Sequence, residues 1–128
     1  MPRTDLAAQY RAYIACLNAQ DWSDLGQFVA QDVQHNGKAL GLHGYRAMLE
    51  GDFRAIPDLA FTIDLLLSDP PHIGARLVFD CHPAGELFGL AVNGRRVRFT
   101  ENVFYRFTAG RITSVWSVID TAAIAAQL

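Results

Sequence analysis

Cysteine is scarce in this chain: Cys16 and Cys81 are the only two in 128 residues, with no CxxC pair and no Cys/His spacing of a zinc site. That argues against a disulfide-stapled scaffold and reads instead as two small hydrophobes in a core. No apolar run reaches the roughly 20 residues that a membrane-crossing helix needs. The opening MPRTDLAAQY lacks the apolar centre of a secretion signal, so the expectation is a cytoplasmic protein with no membrane partner. Cationic charge is thin as well. Eleven Lys and Arg against thirteen Asp and Glu give a formal net charge of −2. Only Arg95, Arg96 and Arg98 cluster, so nucleic acid is not an expected partner. The nucleotide loops GxGxxG and GxxxxGK[ST] and the zinc motif HExxH are all missing, so neither cofactor nor metal is expected.

What the chain does contain is 51% hydrophobic and 19% charged residues, the make-up of one globular domain spanning 1–128 with enough apolar surface to bury its own core. Leu6, Tyr10, Tyr13, Ile14 and Leu17 recur at helical spacing behind Thr4 as a cap, which predicts an amphipathic helix. Asp21 heads a shorter helix in which Trp22, Leu25, Phe28 and Val29 share a face, and Asn36, Gly37 and Gly41 break the pattern after it. A third helix is expected from about Gly44 to Ala55 through Tyr45, Met48, Leu49 and Phe53, with Pro57 barring its continuation.

From Asp58 the period falls from 3.6 to 2. Leu59, Phe61, Ile63 and Leu65 alternate with polar or small residues, and the Ser68–Pro71 stretch turns the chain. Ile73, Ala75, Leu77, Phe79 and Cys81 then form one side of a second strand. One short strand is expected around Leu87–Ala91, a long one from about Arg96 to Phe107, and a last one from Arg111 to Asp120 after a turn at Ala109–Gly110. Helices followed by a meander mean an α+β fold: a curved, mainly antiparallel sheet wrapped over N-terminal helices as a cone-shaped barrel. The mouth of such a cone is a concave site for a small hydrophobic ligand.

Function should show as polar groups where packing wants apolar ones. Asp120 shares parity with Ile112, Trp116 and Val118, so it either points with Trp116 into the pocket or caps a final helix beginning at Thr121. Glu101 interrupts the apolar parity Val97, Phe99, Val103, Tyr105, Phe107. It is an acid or base if buried, or else a solvated residue or the partner of an arginine such as Arg76. A two-residue turn at Ala109–Gly110 would align Glu101 with Val118, whereas a bulge at Gly110 would bring Asn102 opposite Trp116. His35 and His82 are candidate proton carriers, with backbone-bonded loop histidines as the plainer alternative. Arg76 either clamps a ligand carbonyl or pairs with Asp64 or Asp80. Tyr13, Phe53, Phe99 and Trp116 are core or pocket wall, surfaces that coincide in a cone. Phe104 and Val115, read as apolar positions on the outer face of the sheet, point to a second copy of the chain as partner.

The ordered set Y-x-x-x-L-N (Tyr13–Asn18), D-V-Q-H-N (Asp32–Asn36), G-Y-R-A-M-L (Gly44–Leu49), A-I-P-D-L-A-F (Ala55–Phe61), H-P-A-G-E-L-F-G (His82–Gly89), N-G-R-R-V (Asn93–Val97) and Y-R-F-T-A-G-R-I-T-S-V-W-S-V-I-D (Tyr105–Asp120) resembles the SnoaL-like polyketide (ester) cyclase family, of the nuclear-transport-factor-2-like fold. The resemblance implies a homodimer and an aspartate at the end of the last strand, here Asp120, acting as acid/base in an intramolecular aldol closure. It also matches His35 and His82 to the family's histidines, with Asp80-Cys81 where the family has Gly-Thr and Val92-Asn93 where it has Pro-Thr. On this reading His82, Asn36, Arg76 or Tyr13 would steady the enolate, and Trp116, Phe53, Met48 and Phe99 would exclude water. Ketosteroid isomerases, dehydratases and epoxide hydrolases share the fold, the last through an Asp-Arg-Asp set for which Asp120, Arg98 and Glu101 are the available pieces. A non-catalytic binder is the remaining alternative.

Overall fold

The computed structural model describes residues 5–128. Helix α1 (Leu6–Ala19) buries Leu6, Tyr10, Tyr13, Ile14 and Leu17, the stripe read from the sequence. Its cap is Asp5, which accepts from the Ala8 amide; Thr4 lies outside the described residues. The short second helix is a 3₁₀ segment, Trp22–Gln27, in which Asp21 makes no side-chain cap bond. It stops before Phe28, because Val29 already pairs with Ile112 in strand β1 (Val29–His35). An Asn36–Gly37 turn leads into β2 (Lys38–Ala39). Helix α2 (Gly41–Ala55) begins three residues earlier than Gly44 and ends ahead of Pro57.

Strands β3 (Thr62–Asp69), β4 (His72–Cys81), β7 (Val97–Thr108) and β8 (Arg111–Ile119) supply the rest of a six-stranded sheet in the order β2-β1-β8-β7-β4-β3. All neighbours are antiparallel except β1 and β8. The sheet is open, with β2 and β3 as its edges, so the cone is a curved sheet covered by helices, not a closed barrel. The single short strand expected near Leu87–Ala91 is a separate hairpin, β5 (Glu86–Leu87) and β6 (Leu90–Ala91). A terminal helix α3 (Thr121–Ala126) follows β8 and buries Ile124 completely. None of the described helices is long and apolar enough to cross a membrane.

Two one-residue bulges decide which side chains face the cavity. In β8 the pairing steps from Phe107↔Ile112 to Arg106↔Ser114, leaving Thr113 as the extra residue. Its hydroxyl bonds the Arg106 carbonyl oxygen at 3.2 Å. Beyond the bulge the parity reverses: Val115 is buried (3% exposed), whereas Trp116 (45%) and Val118 (71%) face outward. In β3, Asp64 is the extra residue between Ile63↔Leu77 and Leu65↔Arg76, so Leu65 turns outward and Leu66 packs inward. Val115 therefore does not belong to the outer apolar face, which consists of Leu65, Leu67, Phe104, Trp116 and Val118.

Candidate active site

A cavity of about 360 Å³ lies between the concave face of the sheet and helices α1 and α2. Its wall is mostly apolar, and a few polar groups converge on it.

Asp52 enters from α2. Tyr45, Met48, Leu49 and Asp52 stand at i, i+3, i+4 and i+7, one stripe of the helix, and all four line the cavity. Burial, and secondly the charge of Glu101, push the Asp52 carboxyl up to about 6. Glu101 sits on the inner parity of β7, where it faces the cavity and accepts a hydrogen bond from the Ser117 hydroxyl. Burial raises its pKa and the Ser117 bond partly offsets that. The register behind this placement is neither of the two anticipated. The turn at Ala109–Gly110 does have two residues, but the Thr113 bulge then sets Glu101 opposite Ile119 and Asn102 opposite Val118.

Tyr13 from α1 and Tyr45 from α2 meet hydroxyl to hydroxyl at 2.7 Å. Burial holds both phenols far above their ordinary range, so both stay protonated. One O–H bridges the pair. Among the described residues neither hydroxyl makes a further side-chain hydrogen bond, so the second O–H is free to meet water or a ligand. His35 closes β1 with its ring 6.3 Å from that of Tyr45. Burial lowers its pKa, so it is neutral near pH 7 and offers one N–H donor.

Asn36, Met48 and Phe99 also line the cavity. Asn36 spends its amide on β8, donating to the Ser117 carbonyl at 3.2 Å and accepting from the Ser117 amide at 2.8 Å. These two bonds place Ser117 and, among the described residues, leave one N–H of the Asn36 amide without a side-chain or backbone partner.

Five expected site residues lie outside the cavity. Asp120 is exposed and accepts from the Ala123 amide at 3.1 Å, the helix-cap alternative, because the Thr113 bulge makes the face it shares with Trp116 the outer one. Trp116 is out for the same reason. Arg76 lies opposite Asn102 and Leu65 on the outer face, 3.8 Å from Asp64. His82 is exposed, and Asp58 holds both its amide and its Nδ1 at 2.8 Å, pairing β4 with the loop after α2. Asp58 is pulled below the ordinary carboxylate range by these bonds. Phe53 stands behind the wall, edge-on to Trp22 at 5.8 Å and tilted against Phe61 at 6.1 Å. The Asp-Arg-Asp set is not assembled either, since Arg98 and Asp120 are exposed while Glu101 alone faces the cavity.

Sequence reasoning missed Asp52, Tyr45 and Ser117 as site residues. Asp52 had a readable signal, a carboxylate inside an apolar helical stripe; Ser117 had none without the bulge. Among the described residues no three His, Cys, Asp or Glu side chains gather as a metal site.

The model of the SnoaL-like polyketide cyclase family matches residues 7–128. A SnoaL-like polyketide cyclase from Agrobacterium tumefaciens strain C58 is 49% identical, with 98% of each chain covered and a TM-score of 0.96. TsrD from Streptomyces laurentii (22% identity, 99% of this chain and 96% of that one, TM-score 0.85) and IdmH from Streptomyces antibioticus (18%, 96% and 97%, TM-score 0.83) share the fold. No curated protein sequence matches.

Proposed function

This chain belongs to the SnoaL-like polyketide cyclase family, and we propose that it performs cofactor-independent acid/base chemistry on a compact hydrophobic carbonyl compound, such as the intramolecular aldol closure of a polyketide-like chain. One observation carries the reading: a carboxyl raised to about 6 in an apolar cavity that a pair of protonated phenols also lines. At neutral pH Asp52 is ionised yet poorly solvated, the condition of an effective base.

In the proposed reaction the Asp52 carboxylate takes a proton from a carbon flanked by carbonyls, and the C–H electron pair becomes an enolate. The spare phenol O–H of the Tyr13–Tyr45 pair and the His35 N–H stabilise the enolate oxygen. The enolate carbon bonds the second carbonyl carbon, whose π pair becomes an alkoxide. The alkoxide takes the proton back from Asp52, so no atom is gained or lost. Glu101 touches neither carbon; its charge adds to burial in raising the Asp52 pKa. The test is α-proton exchange of ethyl 2-methyl-3-oxobutanoate in D₂O, followed by proton NMR. The wild type should accelerate it and Asp52→Asn should not; equal rates for the two would reject Asp52 as the base.

A second reading, a non-catalytic small-molecule binder, is favoured by the outward Asp120, the residue at the family's acid/base position. It requires that neither protein accelerates exchange.

We also propose a homodimer. Leu67, Gly74, Phe104 and Trp116 form one cross-strand row on the outer face, flanked by Leu65 and Val118. A second copy related by a two-fold axis would cover this self-complementary patch. Two free buried thiols, Cys16 and Cys81, suit the reducing cytoplasm as the place of action.

A further inference from the structure

Among the described residues, four tight turns share one backbone form, with two consecutive residues in the left-handed region. They are Asn36–Gly37 (φ 49° and 82°), Asn93–Gly94 (52° and 82°), Ala109–Gly110 (51° and 80°) and Phe88–Gly89 (51° and 78°). Asn suits the first position, and Ala is at least small. Phe is the poorest fit of the three, because a bulky side chain crowds the backbone at positive φ. Nothing in the turn itself asks for an aromatic ring.

The ring's surroundings do. Phe88 lines the cavity while 48% exposed. It stands edge-on to Phe99 at 6.4 Å; Phe99 stacks on Phe79 at 5.1 Å, and Phe79 meets Phe61 edge-on at 5.4 Å. All four rings line the cavity. Phe79 and Phe99 are buried, which makes Phe88 the outermost ring of the wall. The hairpin carrying it is fixed at its base: the Val92 and Asn93 amides both donate to the Gly85 carbonyl, and the Gly94 amide donates to the Pro83 carbonyl. Its tip pairs only with itself, as a two-stranded sheet apart from the main one.

We infer that Phe88 is a specificity-determining residue: strained backbone is kept there so that an aromatic ring closes the outer end of the cavity and selects ligands whose apolar body reaches it. This rests on reading the cavity as the ligand site, but not on Asp52 being a base.

Isothermal titration of acetophenone and 1-acetonaphthone tests it, since both carry one carbonyl and they differ by one fused ring. Phe88→Asn writes Asn–Gly into a turn form that favours it, so its thermal midpoint should equal or exceed that of the wild type. Its affinity for acetophenone should change less than its affinity for 1-acetonaphthone, so that the gain on passing to 1-acetonaphthone shrinks by about fivefold. Phe88→Leu, which keeps apolar bulk without the ring, should fall between. A lowered midpoint in Phe88→Asn would make the ring structural. A full size gain in that variant, or no binding of either ketone by the wild type, would equally overturn the inference. Failure of the acid/base reading looks different: Asp52→Asn would keep its exchange activity while the Phe88 binding contrast stood.

Discussion

Asp52→Asn removes one charge and little volume, and its consequences for stability and activity run in opposite directions. The Asp52 carboxyl moves from 3.8 to about 6 in the folded chain. A shift of about two units, at roughly 1.36 kcal/mol each, amounts to about 3 kcal/mol against the ionised form. Water reaching the half-buried group screens part of this, so the expected net penalty is about 1–2 kcal/mol. A carboxyl whose pKa is raised by folding binds its proton more tightly in the native state. The penalty is thus absent below 3.8, grows as pH rises towards about 6, and is complete above it. Urea unfolding should give nearly equal free energies for wild type and Asp52→Asn near pH 4, and about 1–2 kcal/mol in the variant's favour near pH 8. Turnover should show the reverse. The wild-type rate rises with pH through about 6 as the base ionises, and the variant shows no such step. Glu101→Gln, by removing the neighbouring charge, should move the wild-type step to lower pH. A stability difference that is the same at both pH values would refute the desolvated carboxylate, and a pH step surviving in Asp52→Asn would refute its role as base.

Tyr45→Phe deletes one hydroxyl of the 2.7 Å pair; the turnover number should drop about 100-fold with KM little changed, and urea melts should show a loss of about 1 kcal/mol. Asp120→Ala removes the bond to the Ala123 amide and should cost about 1 kcal/mol of stability while leaving α-proton exchange intact; loss of exchange would return the acid/base role to Asp120. Phe104→Lys puts a charge at the centre of the outer apolar row, where the Phe104 ring lies over Gly74. Sedimentation should show monomer for this variant and dimer for the wild type, with the cavity unaffected.

Much of this architecture was readable because helix α1 and strands β4 and β7 run without irregularity. In β4 the alternation Ile73, Ala75, Leu77, Phe79, Cys81 is the buried set residue for residue. Strand β7 kept Glu101 on the inner parity, so its place in the cavity followed from the pattern once the face was known. The 3.6-residue stripe of α1 likewise put Tyr13 where the cavity needs it. What pattern could not reach was a single inserted residue. A period of 2 counts residues and cannot see one that is skipped by the pairing.

The β8 bulge therefore carries more functional weight than its size suggests. Without Thr113 as the extra residue, the parity that buries Ile112 would also turn Ser114, Trp116, Val118 and Asp120 inward, and the acid of the site would lie at the end of the sheet. With it, Val115, Ser117 and Ile119 face the cavity. Trp116 and Val118 become outer surface, and Asp120 is left to cap α3. The one carboxylate that β7 still presents, Glu101, is then held by Ser117, the residue that the bulge has turned inward. Helix α2 supplies the second at Asp52, the last member of the Tyr45, Met48, Leu49 stripe. Taking Phe53 for that stripe chose the residue beside it, whose ring packs on Trp22 and Phe61 behind the wall. A polar residue at i+7 of an apolar helical stripe was the stronger sign, because burying a carboxyl opposes folding and strongly perturbed carboxyls concentrate at functional sites.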